Sequence, residues 1–428
     1  MDFQITPSND QERTILNSFQ HAMAQLDPRK LVYDAIKNDF SSINVKGRVS
    51  ILAFGKAASK MLMGALDFFG GSEIRASAIV PQGVSVDGIP AWVKLLRGTH
   101  PVPTTASVSA TDQAISYLFN GFDPDITVVL ISGGGSSLLE LPEEWTNIDE
   151  INRVSKCLMD NGADINELNA VRRHMSKVKG GGLNQFLKGD QRKGYVISDV
   201  PGDKLDVIAS GPLTTPSSDP VKDVIEKYKD NCQELSRLEK HIKTEMLKEH
   251  GNATDVKIIL RNRDFVDCIY RYLSGLGYEA VSLGSSLTGD VEEFSRFISS
   301  SVRSIYSRKK IPFFFVGGGE TTSAIRGNGI GGRNCELALR VLKQFRTDEF
   351  FAFASLGTDG VDGNSPATGA MVGTPTKEVI KESLIDDYLS RSDSYSLLKK
   401  FGRSVETGPT GNNVSDIFIG FYGGQSQK

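Results

Sequence analysis

Lys56 stands in Gly55-Lys56-Ala57-Ala58-Ser59, directly after the apolar run Val49–Phe54. Four more apolar runs end the same way, in glycines beside a charged or hydroxyl residue. They lead into Ser132-Gly133-Gly134-Gly135-Ser136-Ser137, Asp199-Val200-Pro201-Gly202-Asp203, Gly317-Gly318-Gly319-Glu320-Thr321-Thr322 and Gly357-Thr358-Asp359-Gly360-Val361-Asp362-Gly363. Backbone N–H groups in such turns can approach a phosphate closely. Lys56, and Arg333 in Gly331-Gly332-Arg333-Asn334, suit a carboxylate or a phosphate. Asp199, Asp203, Glu320 and Asp359 could hold Mg²⁺, which takes a few carboxylates together with waters and substrate phosphates. One of them could instead be the base for a substrate hydroxyl. A lone aspartate after a strand is more often a turn former or a cap, the role given to Asp206 and Asp362. Arg172, Arg173 and Lys179 flank a further run, Gly180-Gly181-Gly182.

Several chemistries are excluded. Lys56 is followed by alanine, so there is no G-x-x-x-x-G-K-[ST], and no G-x-G-x-x-G follows a strand. The protein-kinase catalytic-loop set is absent. Asp359–Asn364 faintly suggests a calcium loop, but Ala370 occupies the closing glutamate position. The five histidines lack metal spacing, and His100, in Gly98-Thr99-His100-Pro101-Val102-Pro103, has a structural role by default. The serines of the second glycine loop lack the G-x-S-x-G of a hydrolase elbow.

The formal net charge of −3 carries no nucleic-acid footprint, and no apolar run is long enough for a membrane span. The first residues read as neither a signal nor a transit peptide. Cys157, Cys232, Cys268 and Cys335 lie far apart without a CxxC, which predicts free thiols in a reducing, cytoplasmic setting.

Around the loops, short apolar runs alternate with helical patterns, the signature of βαβ units and a mainly parallel sheet. Strands are expected at Val49–Phe54, Ala76–Val80, Trp92–Leu96, Ile126–Ile131 and Gly194–Ser198. A second series has strands at Val256–Leu260, Glu279–Leu283, Pro312–Val316 and Phe350–Leu356. Between the series, Pro220–His250 is rich in lysine and glutamate and reads as solvated helix at a domain seam. The expectation is an α/β protein of two domains, residues 1–250 and 251–428. In open α/β sheets ligands bind beyond the carboxyl ends of strands, where all five loops fall.

Taken in order, these segments resemble the class II glycerate kinases, whose C-terminal part is the MOFRL domain. The likeness also rests on Asn169-Ala170-Val171-Arg172-Arg173-His174-Met175-Ser176, Ser210-Gly211-Pro212 and Gly408-Pro409-Thr410-Gly411-Asn412-Asn413-Val414. The resemblance implies a larger N-terminal Rossmann-like domain, a smaller MOFRL-type α/β domain and an active site in the cleft between them. It implies transfer of phosphate from ATP, with Mg²⁺, to D-glycerate, giving 2-phosphoglycerate. Lys56, Arg333, Asp199 and Asp359 then occupy catalytic positions, and Asp199 and Asp359 the metal positions. Ser132, Gly133, Gly134, Gly135, Ser136, Ser137, Glu320, Thr321 and Asn334 occupy positions for substrate or nucleotide. Which carboxylate is base and which holds Mg²⁺ stays open. The implied partners are small molecules, with no nucleic acid or membrane, in a monomer or homodimer. Cys335 departs from the glutamine the family often has, and Asn412 from a threonine. The rivals are an oxidoreductase acting on hydroxypyruvate, disfavoured by the missing dinucleotide fingerprint, and a non-catalytic anion sensor, disfavoured by the complete acidic set.

Overall fold

A computed structural model describes residues 3–41, 47–84, 86, 88–242 and 253–425. Two units emerge from the contacts: Pro28–Leu260, and Met1–Asp27 together with Arg261–Lys428.

The first unit is built on β1 (Arg48–Phe54), β2 (Glu73–Pro81), β3 (Lys94–Gly98), β4 (Ile126–Ile131), β5 (Gln191–Ile197) and β6 (Asp255–Leu260). All pair in parallel in the order β3-β2-β1-β4-β5-β6. The central strands β1 and β4 are covered on both faces, so they read as unbroken apolar runs rather than as alternation. Leu52, Phe54 and Val129 meet Ala114 and Leu118 of the helix Thr105–Phe119 in one core cluster. That helix starts at Thr104, whose hydroxyl accepts the Ala106 N–H at 3.2 Å. This strand order is that of doubly wound dinucleotide-binding sheets, with its switch point between β1 and β4. Lys56 and the loop Ser132–Ser137 follow those two strands.

The second unit holds β7 (Ala280–Asp290), β8 (Phe313–Thr322), β9 (Glu349–Gly357), β10 (Gly369–Gly373), β11 (Ser404–Val405) and β12 (Asp416–Gln425). Their order is β11-β10-β9-β12-β8-β7, and only β7 and β8 run parallel. This sheet is therefore mixed and mostly antiparallel, not mainly parallel. The helix Arg333–Gln344 covers one face, burying Leu337, Val341 and Leu342 against Phe315, Phe353 and Phe418.

Four further sequence expectations change. The unit boundary falls after Leu260, because β6 pairs with β5 and completes the first sheet. The helix Asp10–Gln25, expected in the N-terminal domain, belongs to the second unit instead: Glu12 is buried in an ion pair with Arg403 at 2.8 Å, and His21 stacks on Tyr272. Pro220–His250 is not a solvated seam. Its helices Val221–Tyr228 and Leu235–Glu239 bury Val224, Ile225, Tyr228, Leu235 and Leu238 against Val154, Leu158 and Val171, while 243–252 lie outside the described residues. The same packing brings Cys157 and Cys232 together as a disulfide, so these two are not free thiols. Cys268 and Cys335 are free and buried. Among the described residues no helix is long and apolar enough to cross a membrane.

Glu349, fully buried at the start of β9, takes two hydrogen bonds from Arg303 at 2.7 Å, one from Tyr422 and one from the Arg346 N–H. Burial alone would raise its carboxyl, but these donors bring it down from 4.5 to about 2. A depressed carboxyl stabilises the fold above its unfolded value, and that contribution fades as pH falls toward the folded one. Glu349→Gln is therefore expected to cost on the order of 3 kcal/mol at neutral pH. The gap from the parent should narrow to roughly half by about pH 3. Denaturant unfolding at both pH values reads it; a pH-independent gap contradicts the assignment.

Candidate active site

In the first unit, the turns after β1 and β4 are pressed together. Gly55 adopts φ +118°, and a Cβ there would lie 2.2 Å from Ser132 Oγ. The Lys56 N–H donates to Gly133 O at 2.9 Å, and the Ala57 N–H to Ser132 Oγ at 3.0 Å. Ser132 is thus fully buried, and its hydroxyl ties the two turns. Gly134, at φ +80°, lets the chain enter the short helix Gly135–Leu138. Its Cα faces His100 and the candidate Lys56 at once: a Cβ would fall 2.8 Å from His100 Cδ2 and 3.6 Å from Lys56 Cγ. Ser136 Oγ meets Ser210 Oγ at 3.2 Å, and Ser137 Oγ donates to Gly134 O at 3.1 Å. Gly135 packs against the Phe54 ring and the Ala209 side chain. Asp199, half-buried, follows β5, the neighbour of β4.

Two buried groups beneath this loop carry no marking in the sequence beyond their neighbourhood. Lys179 and Glu140, each about 1% exposed at the side chain, form an ion pair at 2.9 Å. Burial draws the Lys179 ammonium down, and Glu140 partly restores it. Lys179 also donates to Ser136 O and Leu139 O, which anchors the loop from below. His100, given a structural role from the sequence, lines a cavity with Gly134, Ser136, Ser137, Glu140 and Arg172.

In the second unit the centre is Arg333, the first residue of its helix. Nε and Nη2 hold Asp416 at 2.5 and 3.1 Å, and Nη1 holds Glu320 at 2.7 Å. The guanidinium expected to clamp substrate is thus occupied by two protein carboxylates. Burial works against its charge, but Asp416 and Glu320 outweigh that and hold its proton more firmly. Asn334 donates from Nδ2 to Asp416 at 2.9 Å and accepts from Ser355. Asp362 receives the N–H groups of Asn334 and Cys335 at 2.9 and 2.8 Å, so it caps the helix. Burial pushes Asp362 up to about 6, against the pull of those N–H groups. Asp416 is also raised by burial, with Asp359 adding to the rise and Arg333 opposing it.

Asp359 is half-buried, and its Oδ1 accepts the Val361 N–H at 3.1 Å. A Cβ at Gly357 would lie 3.3 Å from Asp359 and 3.5 Å from Asp416, so both carboxylates face the end of β9. Thr321 Oγ1 is buried without a hydrogen-bond partner among the described residues. Nothing in the sequence marks Asp416; it gains its place from the pairing of β12 between β8 and β9. Among the described residues no group of three or more His, Cys, Asp or Glu could hold a metal ion. Within each unit the structure thus gathers part of the expected set: Lys56 with the glycine loop in one, and Glu320, Arg333, Asn334 and Asp359 in the other.

The chain also matches known families and proteins. Residues 14–244 match a model described as a domain of unknown function (DUF4147), and residues 313–416 match the MOFRL family. A Picrophilus torridus protein named glycerate 2-kinase is 42% identical over 425 residues, covering 96% of this chain and 97% of that one. A Thermotoga maritima protein named D-glycerate 2-kinase is 35% identical, covering 90% and 93%. The crystal structure of a glycerate kinase from Thermotoga maritima aligns with a TM-score of 0.82 at 32% identity, covering 96% of this chain and 99% of that one.

Proposed function

The chain belongs to the class II glycerate kinase family, and from that premise we propose that it phosphorylates D-glycerate with ATP at the 2-hydroxyl, giving 2-phosphoglycerate and ADP. The observation that carries the reading is full-length relatedness: proteins named for this activity align across nearly the whole chain, through both units. The strand order of the first unit supports it, because the glycine-rich turns sit at the switch point where doubly wound sheets take ligands.

The 2-hydroxyl oxygen attacks the γ-phosphorus, the bond to the β–γ bridging oxygen breaks, and ADP leaves. The hydroxyl proton passes to a carboxylate, Asp199 or Asp359. The transition state is loose and highly charged, so positioning and charge neutralisation dominate. Lys56 supplies positive charge beside the glycine loop. Arg333 supplies it in the second unit while holding Glu320 and Asp416 in place. The loop Ser132–Ser137 receives nucleotide phosphates, and Glu320, Thr321 and Asn334 complete the contacts.

Mg²⁺ fits the donor set in one way. Hard carboxylate oxygens are present at the strand ends, and among the described residues no cage of several ligands is built, which suits an ion that arrives with phosphates and keeps waters. Whichever of Asp199 and Asp359 is not the base would hold it, and when bound it would neutralise charge on the phosphates. The monomer or homodimer and the cytoplasmic location belong to the same proposal.

The purified protein with ATP, Mg²⁺ and D-glycerate is expected to release ADP in a glycerate-dependent way. With NADH and hydroxypyruvate it is expected to leave the nicotinamide absorbance unchanged. The reverse pattern sinks the kinase reading in favour of an oxidoreductase. ATP binding without glycerate-dependent release sinks it in favour of a sensor.

A further inference from the structure

The glycine loop after β4 forms one wall of a cavity of about 200 Å³ inside the first unit. That is small against the roughly 300–1,000 Å³ of drug-sized pockets, so only a small molecule fits. Two cations stand at this cavity, and they are bonded differently. Lys179, behind the wall, donates to Glu140, Ser136 O and Leu139 O, which uses all three of its protons. Arg172, on the wall, donates one hydrogen bond, from Nε to Ser155 Oγ at 3.1 Å, and forms no ion pair among the described residues.

Glu140 is the carboxylate whose charge reaches Arg172, but its oxygens are committed to Lys179 and to the Leu141 N–H at 3.0 Å. The Lys179–Glu140 pair is neutral as a whole, so the positive charge of Arg172 is left facing the cavity. Burial removes water from that guanidinium and draws its pKa down. A cation held this way is stabilised by an anion that meets its two unused Nη groups.

We infer that this cavity is the pocket for the hydroxy-acid substrate, with Arg172 gripping the carboxylate through both Nη groups. The inference rests on the kinase reading above and adds where the acid binds and what selects it. A planar carboxylate matches the guanidinium fork in two parallel hydrogen bonds. The positive charge of Arg172 matches that of a carboxylate. The helix Ile165–Met175 that carries Arg172 starts in a capping box between Asp164 and Glu167, and the Nε bond to Ser155 Oγ orients the guanidinium. Across the cavity stand Ser136 and His100, and Asn152 is fixed by its bond to Pro103 O at 2.8 Å. Gly134 closes this end, with the Lys56 side chain beside it. A small acid lying from Arg172 toward Gly134 thus presents its hydroxyl end to Lys56.

The test compares D-glycerate with its neutral amide in steady-state kinetics of the whole protein. Arg172→Met is expected to raise KM for D-glycerate by about 10²-fold and to leave KM for ATP unchanged. The preference for D-glycerate over the amide should shrink by a similar factor. Arg172→Lys keeps the charge but loses the two-point grip, and should fall between. A folded Arg172→Met with unchanged KM and unchanged preference overturns the pocket and leaves the kinase reading standing. A wild type without glycerate turnover overturns the kinase reading, and the pocket with it. The wild type gives a second reading that needs no variant: D-glycerate, but not glycerol, should slow phenylglyoxal modification of Arg172, located by peptide mass mapping. Equal rates with and without D-glycerate overturn the assignment.

Discussion

Arg333→Met is expected to lower kcat/KM by roughly 10²–10³ and to destabilise the second unit by about 3–5 kcal/mol. The two losses have different causes. The guanidinium satisfies Asp416, about 1% exposed, in a two-point pair and also holds Glu320. Removing it leaves a carboxylate charge buried without its counter-ion, which costs more than the pair itself contributes. It also removes positive charge from a cluster that keeps Glu320, Asp359, Asp362 and Asp416. The double variant Arg333→Met/Asp416→Asn separates the causes. Neutralising Asp416 should restore most of the stability, read by denaturant unfolding, while activity stays low. Recovery of both together would make Arg333 purely structural.

Lys56→Met should lower kcat/KM by a similar factor, on the order of 10²–10³, with little change in stability. The turn at Lys56 is held by its backbone, through the Lys56 N–H to Gly133 O and the Ala57 N–H to Ser132 Oγ. Neither bond uses the lysine side chain. The start of that side chain lies beside Gly134, where a Cβ would be 3.6 Å from Lys56 Cγ. Losing the ammonium should therefore remove charge from the reacting phosphate without loosening the loop. An unchanged circular dichroism spectrum and melting temperature, with kcat/KM near normal, would take Lys56 out of the catalytic machinery.

Much of the first sheet is legible in the sequence because burial on both faces writes strands as continuous apolar runs. Ile126–Ile131 and Val49–Phe54 are of this kind, and the glycine turns that follow them announce the strand ends. The second sheet hides more. β10 is five residues long with glycine at each end, and β12 carries Gly420, Gly423 and Gly424. Those glycines weaken a strand pattern, yet at Gly420 the reason is tertiary: a Cβ would lie 2.1 Å from the Phe315 ring on the neighbouring strand. Asp416 becomes the partner of Arg333 only through that same pairing.

Composition misleads in the segment after Pro220. Its lysines and glutamates suggest a solvated face, but Val221, Val224, Ile225 and Tyr228 recur at helical spacing and line one buried stripe. The disulfide follows from the contact between that stripe and the helix Ile148–Asp160, a relation the spacing of the cysteines does not reveal. The ion pairing of Arg333 is likewise invisible along the chain. Its glycine-rich setting marks it as a candidate, whereas its carboxylate partners come from β8 and β12.

The most direct measurement of the central claim follows the product itself. The protein is supplied with ATP, Mg²⁺ and D-glycerate, and the product is passed to enolase, pyruvate kinase and lactate dehydrogenase without phosphoglycerate mutase. Glycerate attached through its carboxylate has C2 fixed and C3 free to rotate, so C2 attack is the geometry more easily preorganised. Oxidation of NADH starting at once, in proportion to the protein added, is the result expected for 2-phosphoglycerate. Oxidation that begins only after the mutase is added identifies 3-phosphoglycerate and contradicts the assignment.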